Sequence, residues 1–294
     1  RGARAVIWWW ALALVLVLCG LAAGAYWALK VTYLDAFPRQ FRNAVAAGRL
    51  TRPLGNNAIE IYRYEKSRHP ESPALAPAAA VIKERVLPQG EKAFQALSRG
   101  EEKGTDWAEV ETIYGFLSAE YPGETDHEAR LAFARGQRAF RLGKDEEAIA
   151  NFKAALGREQ RWALALHAIG KVYAREGSAS ADESLALRYF DEAGRVDPAF
   201  PWGFRDTAEY FASKGNNAAA ELYLRKAVAA DPQQPSNLRR LGDLCQQSMK
   251  LGEARRFYEK SLWYETDPEE AERTRERIRA IKGAPPAPAP PGAL

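Results

Sequence analysis

Histidine and cysteine, the side chains that most often bind metals or act as nucleophiles, are scarce in this chain of 294 residues. The three histidines, His69, His127 and His167, are far apart in sequence, and none has a cysteine or another histidine nearby at a metal-ligand spacing. Cys19 lies in an apolar run and Cys245 in a predicted helix, so the two cysteines indicate no disulfide framework. We therefore expect no metal site and no cofactor.

Sequence motifs that carry a known catalytic mechanism are also absent. The chain contains no GxxxxGK, GxGxxG, HExxH, GxSxG or CxxC motif. Neighbouring carboxylates occur at Glu146-Glu147 and Glu269-Glu270, each at the predicted start of a helix, where the helix dipole favours negative charge. This position explains them without a catalytic role, and we predict that the chain is not an enzyme.

Small residues recur at a nearly fixed spacing in the second half of the chain. One set comprises Ala148, Ala186, Ala220 and Ala254, and a second set comprises Gly136, Gly170, Ala208 and Gly242. The spacing in both sets is about 34 residues, a period typical of helical repeat proteins. One interval in each set is longer, and the two longer intervals overlap between Gly170 and Ala186. They place an insertion there, and the polar stretch 177–182 is the predicted turn that holds it.

Each repeat is predicted to form two helices that cross at the small positions, because helices approach closely only where side chains are small. A turn glycine separates the two helices at Gly143, Gly177 and Gly215. Asp197-Pro198 and Asp231-Pro232 end the second helix, since proline cannot continue a helix and restricts the residue before it. Larger side chains fill the remaining space, namely Leu166, Ile169, Tyr173, Phe190, Phe204, Phe211, Leu224, Leu238, Leu241 and Tyr258.

This pattern resembles the tetratricopeptide repeat, whose small-residue, aromatic and terminal-proline positions are matched in four consecutive units over Ala129 to Thr266. The departures are Gln160 in place of a proline, Cys245 at an aromatic position, and a proline that comes late, at Pro268. The resemblance implies an all-α fold in which helical hairpins stack as a solenoid.

The N-terminal stretch from Ala5 to Leu29 contains no charged residue and has aromatic residues near both ends. A helix of that length measures about 37 Å, which is enough to cross a bilayer. We predict a transmembrane helix over residues 5–30 and a single-pass protein of the cell (inner) membrane, with a repeat domain that leans to the periplasmic side. Basic residues on both flanks leave the orientation open. The alternative to a membrane helix is a signal peptide cleaved after Ala25. If the helix spans the membrane, Gly20 and Gly24 have the GxxxG spacing that lets two such helices pair as a homodimer.

The charge of the chain gives no indication of a nucleic-acid partner. The formal charge of +4 comes from 42 basic and 38 acidic residues. Arg1, Arg4 and Lys30 are the only charges before residue 31, and without them the basic residues outnumber the acidic ones by a single charge. The predicted repeat region is therefore nearly neutral, unlike a nucleic-acid-binding domain.

Composition along the chain predicts a succession of segments around the membrane helix. Residues 1–4 are a truncated or juxtamembrane N-terminus, and residues 31–126 are divergent helical hairpins that resemble degenerate repeats. The four well-matched repeats occupy residues 127–268. A charged capping helix over residues 269–283 and a disordered proline-rich tail over residues 284–294 follow.

In tetratricopeptide solenoids the first helix of each repeat lines the concave face, and the resemblance implies that this face binds a peptide. The positions of the first helices that do not pack within the repeat are Arg130, Phe133, Gln137, Arg141, Leu164, His167, Lys171, Arg175, Trp202, Arg205, Glu209, Arg239, Asp243 and Gln246. Basic residues outnumber acidic ones among them, which favours an acidic peptide, with Phe133 and Trp202 as apolar anchors. An ordinary solvated face is the alternative. The asparagine-containing clamp of chaperone-binding members does not occur at these positions, so a chaperone tail is not implied.

The leading hypothesis is a membrane-anchored, non-catalytic scaffold that docks other proteins. A second hypothesis is the sensor or interaction region of a bacterial receptor-like serine/threonine protein kinase whose catalytic domain precedes Arg1. A third is a secreted envelope-assembly factor released by cleavage after Ala25. The sequence before Arg1 would separate these hypotheses, because a kinase catalytic loop would lie there.

Overall fold

The structure is a computed structural model that describes residues 19–25, 36–98, 104–158 and 161–281. All regular secondary structure within these residues is helical. The chain divides between Glu91 and Lys92 into two compact units, called unit 1 and unit 2 below.

The structure corrects the prediction of a transmembrane helix. No helix within the described residues is both long and apolar enough to cross a membrane. Residues 19–25 are helical and include Gly20 and Gly24, and the rest of the predicted span lies outside the described residues. The predicted inner-membrane location is wrong for the same reason.

Unit 1 contains two short helices that pack together and the first part of a longer helix. Phe41 of the first helix and Ile59 of the second are buried. Asn57 caps the second of them, because its side-chain oxygen accepts a hydrogen bond from the backbone N–H of Glu60 at 3.0 Å. The helices are α1 (Ala36–Ala46), α2 (Ala58–Arg68) and α3 (Leu75–Ser98).

Unit 2 contains the end of α3 and ten further helices within the described residues. Eight of these pair as hairpins 1 to 4, and packing is most extensive inside each pair. Hairpin 1 is α5 and α6, hairpin 2 is α7 and α8, hairpin 3 is α9 and α10, and hairpin 4 is α11 and α12. The bounds are α4 (Trp107–Glu120), α5 (Thr125–Arg141), α6 (Asp145–Arg158), α7 (Ala163–Tyr173), α8 (Glu183–Val196), α9 (Pro201–Ser213), α10 (Asn217–Ala230), α11 (Pro235–Gln247), α12 (Leu251–Tyr264) and α13 (Pro268–Ala280). The four hairpins form a tetratricopeptide-like helical repeat.

The small residues of the first helices lie where an aromatic ring of the second helix crosses them. The pairs are Gly136 with Phe152, Gly170 with Phe190, and Gly242 with Tyr258, and a Cβ added to each glycine would lie 2.6 Å from the ring. Hairpin 3 instead has Ala208 and Leu224 at these positions, and both belong to the core. The sequence interpretation placed an alanine of the second helix opposite each small residue. The structure places the ring one helical turn further on, which explains why glycine is needed.

The turn inside each hairpin contains one residue with left-handed backbone geometry. This residue is Gly143, Gly177 and Gly215 in the first three hairpins, with φ of 73°, 75° and 74°, as the sequence predicted. Hairpin 4 has Met249 there, with φ of 59°. The inserted residues lie between α7 and α8, and Asp182 ends the insertion as the cap of α8.

Proline and aspartate mark the boundaries between hairpins. Helix α8 ends at Val196 and α10 ends at Ala230, directly before the two Asp-Pro pairs, which confirms the predicted helix ends. Helices α9 and α11 begin with Pro201 and Pro235, where a missing backbone N–H costs nothing. The charged last helix, α13, buries Ala271, and its Ile278 packs against the core of hairpins 3 and 4.

Candidate functional site

The predicted non-packing positions of the first helices, called the first-helix face below, connect each hairpin to the next. Phe133 and Gln137 of α5 line one narrow cavity together with His167 and Lys171, which occupy the equivalent positions of the next repeat in α7. The next link is between α7 and α9, where His167 Nε2 lies 3.4 Å from Asp206 Oδ2. The first helices of hairpins 1, 2 and 3 therefore lie side by side along this face.

An ion pair continues the face from α9 to α11. Glu209 of α9 pairs with Arg240 of α11, the residue directly after the predicted position Arg239. Arg205 also binds Asp206, with its Nη2 2.9 Å from Asp206 Oδ1, and lies 3.8 Å from Glu209. Carboxylates thus balance Arg205 of hairpin 3 and Arg240 of hairpin 4.

Arg239 of hairpin 4 is also balanced by carboxylates. Arg239 pairs with Glu265, and its Nη2 lies 3.5 Å from a carboxylate oxygen of Glu270. Burial lowers the pKa of Arg239, whose side chain is only 14% exposed. Neither glutamate belongs to a first helix, so a list of first-helix residues alone did not contain them.

Asp243 and Gln246 surround a tyrosine hydroxyl from the second helix. The hydroxyl of Tyr258 donates a hydrogen bond to Asp243 Oδ1 at 2.6 Å and lies 2.9 Å from Gln246 Oε1. Asp243 is also 3.6 Å from Arg277 of α13. Burial, followed by the hydrogen bond to Asp243, raises the pKa of Tyr258 above its usual value.

Two predicted face residues bind the segment that precedes their own hairpin. Arg175 Nη2 donates to the backbone carbonyl of Phe140 at 2.6 Å, and its Nη1 lies 2.7 Å from Asp145 Oδ1. The guanidinium also lies over the Phe140 ring, 3.9 Å from the ring centroid. Arg141, at the equivalent position of the preceding repeat, donates in the same way to the backbone carbonyl of Thr105 at 2.7 Å. Both arginines therefore bind the preceding turn.

Phe133, predicted to be an exposed anchor, is fully buried. Its ring centroid lies 4.8 Å from that of Trp162, 5.3 Å from that of Phe152 and 5.5 Å from that of Phe94. Phe94 comes from α3, so a segment upstream of the repeats covers this position. Sequence reasoning missed that cover because nothing in the repeat pattern places α3 on the face.

The remaining predicted positions of hairpins 1 to 3 differ in exposure. Arg130 Nη1 donates to the hydroxyl of Tyr114 at 3.0 Å, and its guanidinium lies over the ring of Phe94. Leu164 is half-buried beside the narrow cavity. Trp202 lies in the first turn of α9, and its side chain lies outside the described part of the chain.

A cluster of possible metal ligands lies away from the first-helix face. Single ligand atoms of Glu221, Cys245 and Glu253 are within 4.8 Å of one another. Arg225 bridges the two glutamates at 2.7 and 2.6 Å, and Lys250 lies 2.8 Å from Glu221. Burial and the two carboxylates raise the pKa of the Cys245 thiol to about 11, so it stays protonated. The arrangement is an ion-pair network around a neutral thiol, which does not favour metal binding.

Neither a protein-family model nor a curated protein sequence matches the chain. Several solved structures are similar. A thermophilic TPR protein from Thermus thermophilus, TTC0263, has a TM-score of 0.46 and 20% identity, covering 68% of this chain and 98% of that one. The C-terminal part of a TPR repeat-containing protein from Cytophaga hutchinsonii has a TM-score of 0.45 and 17% identity, covering 84% and 95%. MamA has a TM-score of 0.41 and 16% identity, covering 64% and 96%.

Proposed function

We propose that this chain is a non-catalytic scaffold that binds a segment of another protein along the first-helix face. The observation that supports this is the continuity of the face. Side chains of successive first helices meet from α5 to α7, from α7 to α9 and from α9 to α11. Stacked repeats create extended binding surfaces of this kind.

The charges on the face favour a partner segment of mixed charge over the acidic peptide that the sequence predicted. On hairpins 3 and 4, Arg205, Arg239 and Arg240 each lie beside a carboxylate. A purely acidic segment would meet these carboxylates as well as the arginines, and like charges placed together oppose binding. A segment with both signs can exchange ion pairs with the face. No described residue bears on the kinase alternative, which concerns sequence outside this chain.

The test compares two double substitutions in the full chain. Arg205→Ala with Glu209→Ala removes one cation and one anion from the first-helix face. The control, Arg256→Ala with Glu192→Ala, removes the same charges from exposed positions on second helices. We expect the face variant to retain about fivefold less co-purified partner, equivalent to about 1 kcal/mol, and the control to retain it fully. Equal retention by the two variants would exclude this face as the docking surface.

A further inference from the structure

The end of α3 lies against the first-helix face of hairpins 1 and 2. Phe94 and Leu97 are three residues apart and therefore project from the same side of the helix. The Phe94 ring centroid is 5.5 Å from that of Phe133 in α5 and 5.7 Å from that of Trp162, directly before α7. Leu97 lines the narrow cavity with residues of both helices. Both side chains are more than nine-tenths buried.

This contact differs from ordinary stacking of repeats. In a helical repeat each unit contacts only its neighbours. A helix that merely preceded hairpin 1 in the stack would contact hairpin 1 and not hairpin 2. Leu97 shares its cavity with Leu164, His167 and Lys171 of hairpin 2. The end of α3 therefore lies against the first-helix face of both hairpins.

The contact between α3 and the first-helix face leaves one buried polar atom without a hydrogen bond from the described residues. Gln137 is 5% exposed, lines the same cavity as Leu97, and its Oε1 accepts no hydrogen bond from the described residues. The cavity beside Leu97 has a volume of only about 10 Å³, so the two apolar side chains nearly fill the site. A second cavity of about 260 Å³, lined by Ser98, Leu164 and Phe200, lies at the C-terminal end of α3.

We propose that the first-helix face of α5 and α7 is a helix-binding site that the chain fills with its own residues 92–98. This inference rests on the proposed function and names the partner for these two hairpins. The partner is an amphipathic helix with an aromatic residue, a leucine three residues later, and a side-chain donor that reaches Gln137 Oε1. It binds by displacing the segment, so the segment inhibits binding to hairpins 1 and 2.

The test uses a fluorescent synthetic peptide of residues 88–98 and the full chain. The covalently attached segment competes at an effective concentration near millimolar, so the unaltered chain binds the free peptide weakly. Replacing Phe94 and Leu97 by alanine in the chain removes that competitor. We expect this variant to bind the peptide about tenfold more tightly or better by fluorescence anisotropy. Adding Leu164→Glu to the same variant abolishes the binding.

Controls separate displacement from damage to the fold. The chain variant Lys92→Ala with Gln95→Ala changes exposed positions of the same segment and binds the peptide as weakly as the unaltered chain. Hydrogen exchange of the Phe94→Ala, Leu97→Ala variant shows α5 to α8 still protected. Loss of that protection would show that residues 92–98 belong to the core, and equally weak peptide binding by both variants would show that the face is not a helix site. Either result overturns the proposal.

The peptide experiment needs no natural partner and is therefore independent of the charge substitutions on hairpins 3 and 4. Peptide binding that appears only in the Phe94→Ala, Leu97→Ala chain supports the self-filled site even when Arg205 and Glu209 prove irrelevant to docking. Failure of the peptide to bind, with docking lost in the Arg205→Ala, Glu209→Ala variant, limits the binding surface to hairpins 3 and 4.

Discussion

Glycine at the crossing of a hairpin leaves room for an aromatic ring that no other residue would admit. In hairpin 4, a Cβ on Gly242 would lie 2.6 Å from Tyr258 Cε1, closer than side-chain atoms approach one another. The ring is held by its hydroxyl contact with Asp243, so it cannot easily move aside. One missing methyl group thus permits the close packing of the two helices.

We expect Gly242→Ala to lower the free energy of unfolding by about 1–3 kcal/mol, because it overpacks this crossing. Gly252→Ala is a matched control on the facing helix, since an added Cβ there meets nothing within 4 Å. In a helix that change adds about 0.5–1 kcal/mol of stability. Urea unfolding followed by circular dichroism measures both. Equal shifts of the two midpoints would contradict the packing described for hairpin 4.

The burial of Cys245 predicts how its thiol reacts with a thiol reagent. The thiol is fully buried and its folded-state pKa is raised to about 11, whereas Cys19 is exposed. We expect Ellman's reagent at pH 8 to titrate one thiol in the native chain and the second only in denaturant.

The raised pKa of Cys245 also makes the free energy of unfolding depend on pH. Because the unfolded thiol has a pKa of about 8.5, the stabilisation is fully present below pH 8.5 and is lost as the pH rises from there toward 11. The Cys245→Ala variant shows a smaller loss of stability over this range.

Each hairpin turn has one position with left-handed backbone geometry, and the residue at that position affects stability. Three hairpins have glycine at the left-handed position, and hairpin 4 has Met249. Left-handed geometry costs a residue with a side chain about 1–2 kcal/mol. We expect Met249→Gly to raise the unfolding midpoint and Gly215→Met, the reverse change in hairpin 3, to lower it. A lower midpoint for Met249→Gly would show that the exposed methionine side chain has a stabilising contact.

Arg175 belongs to the connection between hairpins, and its substitution tests that role. It donates to the Phe140 carbonyl and pairs with Asp145, which is itself 9% exposed. Each hydrogen bond from a charged group contributes about 1.5–3 kcal/mol. We expect Arg175→Gln to destabilise unit 2 by that amount while partner binding by the folded fraction stays unchanged. Loss of partner binding without loss of stability would show that Arg175 belongs to the docking surface.

The fold of the repeats could be predicted because their packing is local and periodic. The spacing of Gly136, Gly170 and Gly242, and of the turn glycines, follows from contacts within each hairpin. The covering of Phe133 could not be predicted, because Phe94 lies far upstream in a segment without a clear repeat pattern. The pairing of Arg239 was missed because Glu265 lies outside the first helices. The period of the sequence predicts contacts that recur in successive repeats, whereas the contacts of Phe94 with Phe133 and of Arg239 with Glu265 do not follow this period.

For the molecule as a whole, we propose that the first helices jointly form a surface for another protein. The claim depends on which side of each hairpin the partner contacts. Glu209 and Gln246 lie on the first-helix face, whereas Leu222 lies on a second helix and is 55% exposed. These positions allow both sides of the repeats to be compared in one protein.

The most direct measurement is site-specific photo-cross-linking of the full chain to the partner that co-purifies with it. A photoreactive phenylalanine analogue replaces Glu209, Gln246 or Leu222 in separate variants, and each variant is irradiated under identical conditions. We predict a covalent adduct with the same partner at Glu209 and at Gln246 and none at Leu222. An adduct at Leu222 with none at the two first-helix positions would contradict the account.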